Sequence, residues 1–111
     1  MTGTIVHVLG ARPNFPKAAP VIEALANAGH QQLVVHTGQH YDRAMSEVFF
    51  EQLGLPRPDV NFGVGSGSHA SQTAAVMNHL DPFYAENPTS LTVVYGDVHS
   101  TVAAALVCSK L

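Results

Sequence analysis

Short uncharged apolar runs alternate along the chain with stripes of helical spacing. Thr4 to Leu9 (TIVHVL) is β-branched, mostly apolar and stops at Gly10, the pattern of a strand buried on both faces. After the loop GARPNFP, Ala18, Val21, Ile22 and Leu25 recur at helical spacing. They predict a helix over Lys17 to Ala28 closed by Gly29, with Pro20 in its first turn. Gln32 to Thr37 (QLVVHT) repeats the buried-strand pattern. Strand, helix and strand in this order imply a right-handed crossover, and therefore a parallel sheet.

A second polar loop, GQHYD, leads into Asp42 to Leu53, where Met45, Val48, Phe49 and Leu53 form an apolar stripe ending at Gly54. The stretch LPRPDVNFGVGSGS reads as loop with one short strand at Val60 to Val64. Ala70 to His79 predicts a further helix, interrupted or bent near Pro82, with Phe83 and Tyr84 continuing its apolar face. Leu91 to Tyr95 (LTVVY) is another buried strand, broken by Gly96 and followed by a helix from about Val98. The alternation βαβα(β)αβα is that of an α/β fold, a Rossmann-like doubly wound parallel sheet. The last helix reaches Leu111 without a capping glycine and with an unbroken apolar side from Val102 to Val107. The expectation is that residues 1–111 are a partial domain whose apolar faces are covered by a downstream segment or a partner subunit.

Length and composition sharpen that picture. One compact domain is the most that 111 residues can build. Apolar residues make up 46% against 12% charged, about half the usual charged share, so the chain is short of surface. The net charge of -3 and the lack of any basic run exclude a nucleic-acid partner. Protonating the seven histidines turns that balance positive below about pH 6. The single Cys108 and the absence of a signal peptide point to a soluble chain in the reducing cytoplasm. The longest apolar stretch, Val98 to Cys108, is interrupted by His99, Ser100 and Thr101 and falls short of the roughly 20 residues of a membrane helix.

Ligands of doubly wound sheets bind beyond the carboxyl ends of the strands, where three polar loops fall: Gly10 to Lys17, Gly38 to Asp42 and Gly96 to Thr101. The first sets Arg12 and Lys17, two of only five cations, on either side of a helix start. Free backbone N–H groups, the positive end of a helix dipole and close main-chain approach at Gly10 suit an anion, and a phosphate above all. Spacing alone equally allows both cations to be merely solvated, since neither a dinucleotide fingerprint nor a P-loop is present. Gln39 and His40 offer an amide and an imidazole to a hydroxyl or phosphate. The spacing of His36 and His40 falls across a strand end with no third ligand nearby, which argues against a metal. His7 and His36 read as strand histidines with satisfied ring nitrogens. Asp97 is either the N-cap of the last helix or a carboxylate that exchanges protons with a bound substrate. The segment GVGSGSHAS is either a phosphate cradle or a loop that closes on a ligand.

Four stretches together carry a resemblance. GARPNFPKAAP, TGQHYD, LPRPDVNFGVGSGSH and YGDVHST resemble, in order and spacing, the amino-terminal part of the non-hydrolysing UDP-N-acetylglucosamine 2-epimerases. The resemblance implies one half of a GT-B type fold with the nucleotide sugar held between two Rossmann-like halves, and a homodimer at full length. It implies interconversion of UDP-N-acetylglucosamine and UDP-N-acetylmannosamine by anti elimination of UDP and re-addition, without cofactor or metal. Carried over by position, Arg12 and Lys17 match residues near the nucleotide phosphates, with Gly10 beside them. Gln39 and His40 match a turn that contacts the nucleotide sugar, and Asp97 matches an aspartate with a catalytic role. Asn14 stands where the family more often has glutamate. The family's other catalytic carboxylates and its UDP-binding half would lie beyond Leu111, so these residues alone are expected to be inactive. A glycosyltransferase half-domain and a non-catalytic nucleotide-sugar-binding or assembly module remain the alternatives.

Overall fold

The computed structural model describes residues 3–10, 14–38, 59–64, 67–95 and 99–110. Within them run β1 (Thr4–Leu9), α1 (Asn14–Asn27), β2 (Gln31–His36), β3 (Val60–Asn61), α2 (His69–Glu86), β4 (Thr89–Val94) and α3 (His99–Lys110). The helix predicted over Asp42 to Leu53 lies outside the described residues. All pairings are parallel, and the sheet order is β3-β2-β1-β4.

β1 is central because it is apolar on both faces, as a parallel strand covered on both sides must be. Val6 and Val8 point to one side, where they join Val35, Val76, Leu80, Phe83, Tyr84, Ala103, Ala104 and Val107. Leu9 points to the other, where it meets Ala18, Ile22, Val34 and Tyr95. Helices therefore cover both faces, α1 on one and α2 with α3 on the other. The small residues Ala103 and Ala104 let α3 lie close to the sheet and to α2.

Local chemistry sets the ends of these elements. α1 closes in a Schellman motif: Gly29 adopts φ 85°, its N–H reaches Ala26 O at 3.0 Å, and the His30 N–H reaches Leu25 O at 3.0 Å. Ser68 caps α2, its Oγ accepting from the Ser71 N–H at 3.1 Å, and Asn87 caps the other end through Phe83 O. α1 begins at Asn14, before the predicted Lys17, so Pro20 lies in the helix interior and not in its first turn. Pro20 has no N–H to offer the Pro16 carbonyl, and both prolines lie on the exposed side of the helix. Among the described residues, no helix is long and apolar enough to cross a membrane.

Candidate functional site

The order of the sheet reverses between β1 and β4: β2 and β3 extend to one side of β1, and β4 lies on the other. The crevice beyond that reversal is where sheets of this kind receive ligands. Its described walls are Gly10 after β1, the first turn of α1, and Tyr95 after β4. Gly10 is buried, whereas Lys17 is exposed in the first turn of α1. Ala18, next to Lys17, belongs to the buried cluster of Leu9, Ile22, Val34 and Tyr95, which packs the start of α1 against the ends of β1 and β4. Lys17 therefore stands exposed in the first turn of α1, the helix that follows β1. Arg12, Gln39, His40 and Asp97 lie outside the described residues.

On the α1 face of the sheet runs a partly buried polar chain. His7 pairs in register with Val34 of β2 and Val93 of β4, so its side chain shares their face of the sheet and reaches diagonal neighbours on both strands. Its Nδ1 lies 2.8 Å from the Tyr95 hydroxyl and its Nε2 lies 2.6 Å from Gln32 Oε1. Gln32 Nε2 donates to Ile22 O at 3.1 Å, so the amide oxygen is what faces His7. His7 Nε2 must then carry the proton, and the Tyr95 hydroxyl donates to Nδ1. Burial pushes the His7 imidazole below its ordinary range, opposed by the Gln32 hydrogen bond, and pushes the Tyr95 phenol up to about 12. His7 accordingly reads as a satisfied strand histidine. Gln32 and Tyr95 were not evident from the sequence, because only the register reveals which side chains share a face.

The loop after β2 is fixed just as closely. Thr37 N–H donates to Leu9 O at 3.0 Å, Gly38 N–H to His36 Nδ1 at 2.8 Å, and Val64 N–H to Thr37 O at 2.8 Å. Burial lowers the His36 imidazole to about 4, which keeps Nδ1 free to accept. Gly38 has φ 96°, and a Cβ there would lie 2.5 Å from Val64 N, so only glycine fits.

An open trough of about 450 Å³ lies elsewhere, along β4 and against α3, lined by Tyr84, Leu91, Thr92, Val94, Ala104 and Cys108 among others. Neither Gly10 nor Lys17 borders it. Within it Tyr84 Oη lies 2.7 Å from Thr92 Oγ1, and burial raises the Tyr84 phenol. Among the described residues, no three His, Cys, Asp or Glu side chains come together as a metal ion would need.

Sheet order and helices on both faces define a Rossmann-like α/β domain, whose strand order reverses at β1/β4. Residues 23–111 match the profile of the family described as UDP-N-acetylglucosamine 2-epimerase, and the chain belongs to that family. A Methanococcus maripaludis protein described as a UDP-N-acetylglucosamine 2-epimerase homolog is 42% identical over 107 residues, which are 96% of this chain and 30% of that protein. The UDP-2,3-diacetamido-2,3-dideoxy-D-glucuronate 2-epimerase of Pseudomonas aeruginosa is 41% identical over 108 residues, 96% of this chain and 30% of the relative. The crystal structure of Methanocaldococcus jannaschii UDP-GlcNAc 2-epimerase in complex with UDP-GlcNAc and UDP matches with a TM-score of 0.91 at 36% identity, covering 96% of this chain and 30% of that one. The chain therefore spans about 30% of the length of these relatives.

Proposed function

We propose that this chain supplies the phosphate-binding wall of an enzyme that interconverts UDP-N-acetylglucosamine and UDP-N-acetylmannosamine. The observation that carries the reading is Lys17 in the first turn of α1, directly beyond β1 and beside the β1/β4 reversal. Departure of UDP from the sugar carbon develops negative charge on the diphosphate. A helix N-terminus flanked by two cations neutralises such charge without reorganising. In this reading Arg12 and Lys17 steady the diphosphate, and Gly10 lets it approach the main chain. Gln39 and His40 hydrogen-bond the nucleotide sugar, and Asp97 positions or exchanges the proton at the reacting carbon. The enzyme is cytoplasmic, works as a homodimer and serves polysaccharide biosynthesis. Further support comes from family membership and from the likeness to the M. jannaschii enzyme solved with UDP-GlcNAc and UDP.

A second substrate is favoured by the 41% identity to the P. aeruginosa enzyme, whose sugar is a diacetamido glucuronate. Both substrates are UDP sugars with an acetamido group at the carbon that inverts. The test uses a protein that carries this chain at the full length of its relatives and follows epimerisation and free UDP with each nucleotide sugar. Asp97→Asn should slow turnover by about two orders of magnitude or more while the fold is kept. Turnover equal to the parent's would return Asp97 to helix capping, and binding of UDP without any turnover would favour a non-catalytic module.

A further inference from the structure

We infer that the outer edge of β4 docks one further strand, supplied by the residues that follow position 111 in a protein carrying this chain at the length of its relatives. That strand lies parallel to β4 and fills the trough between β4 and α3. The inference concerns how the domain is completed and is independent of the substrate.

Four observations carry it. β4 ends the sheet on its side, and no described strand pairs with its outer edge. Its residues are nevertheless those of an interior strand: Val93 packs on the α1 side and Val94 on the α2 side, and Thr89–Val94 holds no charged residue and no proline. Edges left open to water are commonly blunted by charge, proline or short length. The opposite edge shows this, since β3 is two residues long and the Asp59 carboxylate beside it takes the Val34 N–H at 2.7 Å. β4 has no such guard, is only partly covered, and leaves Leu91 54% exposed.

The trough along this edge, about 450 Å³, suits apolar side chains more than a polar ligand. The hydroxyls on its floor are already engaged: Tyr84 Oη lies 2.7 Å from Thr92 Oγ1, the Cys108 thiol donates to the same oxygen at 3.6 Å, and Thr89 Oγ1 donates to Asn87 O at 2.8 Å.

The hand of the crossovers then says where the chain goes after α3. α1 carries it from β1 to β2 across one face, and α2 carries it from β3 to β4 in the opposite direction across the other. Reversing both direction and face keeps the hand, which is right-handed for parallel strands. α3 packs on the α2 face through Ala103, Ala104 and Val107, so the same hand sends the next strand outward, onto the free edge of β4. The chain to build it is at hand, because residues 1–111 span only about 30% of the length of these relatives. A second copy fits less well: a two-fold axis would set β4 antiparallel to itself, in a sheet whose pairings are all parallel.

The test is amide hydrogen exchange, read residue by residue by NMR, on the full-length protein carrying this chain. Successive N–H groups of a strand point to alternate sides, so an open edge would leave every other amide of residues 91–94 to water. With the strand docked, all four should exchange at least about 100-fold more slowly than in an unstructured chain, at every protein concentration. Fast exchange at alternate positions would overturn the inference. Protection that is lost on dilution would also overturn it, by placing a second copy on the edge.

Discussion

Replacing Gly38 by alanine probes how tightly the loop after β2 is built. At φ 96° any residue with a Cβ gives up roughly 1–2 kcal/mol of backbone energy. The added carbon would also stand 2.5 Å from Val64 N, 2.7 Å from Gly63 Cα and 2.8 Å from Gly63 C. These are backbone atoms, so the 63–64 segment has to move. That movement opens the 2.8 Å bond from Val64 N–H to Thr37 O, worth about 1 kcal/mol, and lifts part of the Val64 side chain out of the core. The expected loss is roughly 3–5 kcal/mol. Gly29→Ala is the internal control: φ is 85° there, yet nothing lies within 4 Å of the added carbon, so only the backbone cost of roughly 1–2 kcal/mol applies. Urea unfolding of parent and both variants, with unchanged slope, measures the two losses. A Gly38→Ala loss no greater than that of Gly29→Ala would refute the close approach of the two loops.

Acid should weaken the fold through His36. Its folded-state pKa is about 4, below the ordinary 6.5, so as pH falls below 6.5 the unfolded chain binds a proton that the folded chain refuses. Stability from this group is lost between pH 6.5 and 4, about 2 kcal/mol of it between pH 7 and 5. His7, shifted in the same direction, adds to the loss. His36→Asn keeps an acceptor for the Gly38 N–H, and its unfolding midpoint should fall less over that interval; an equal fall in parent and variant would contradict the assignment. Leu80→Ala, at a fully buried position between the sheet and α2, should cost roughly 2–5 kcal/mol by denaturant unfolding.

The strands of the sheet interior were legible because burial on both faces leaves continuous apolar runs. β1 and β2 stand within a residue of where the runs place them. Element ends were less so, and each miss has a local cause. The stripe that marks α1 begins at Ala18, yet the helix starts at Asn14, because exposed prolines in the early turns cost little there. β3 stops at Asn61, short of Val64, because the Asn61 side chain accepts from the Gly63 N–H at 2.9 Å and Gly63 turns the chain at φ 68°. α2 runs through Pro82 to Glu86 because Phe83 and Tyr84 are held in the core beyond it. Of the candidate site residues, Gly10 directly follows β1 as the end of the apolar run predicts, while Lys17 is the fourth residue of α1 and not its first. The Tyr95, His7 and Gln32 chain was invisible, since it depends on the register among three strands distant in sequence.

The claim at the centre is that the start of α1 holds the diphosphate of a sugar nucleotide. A crystal structure of the full-length protein carrying this chain, grown with UDP, tests it most directly. The diphosphate should lie at the first turn of α1, within hydrogen-bond reach of Lys17 Nζ and the Arg12 guanidinium. UDP bound elsewhere, with both side chains turned away from it, would contradict the account.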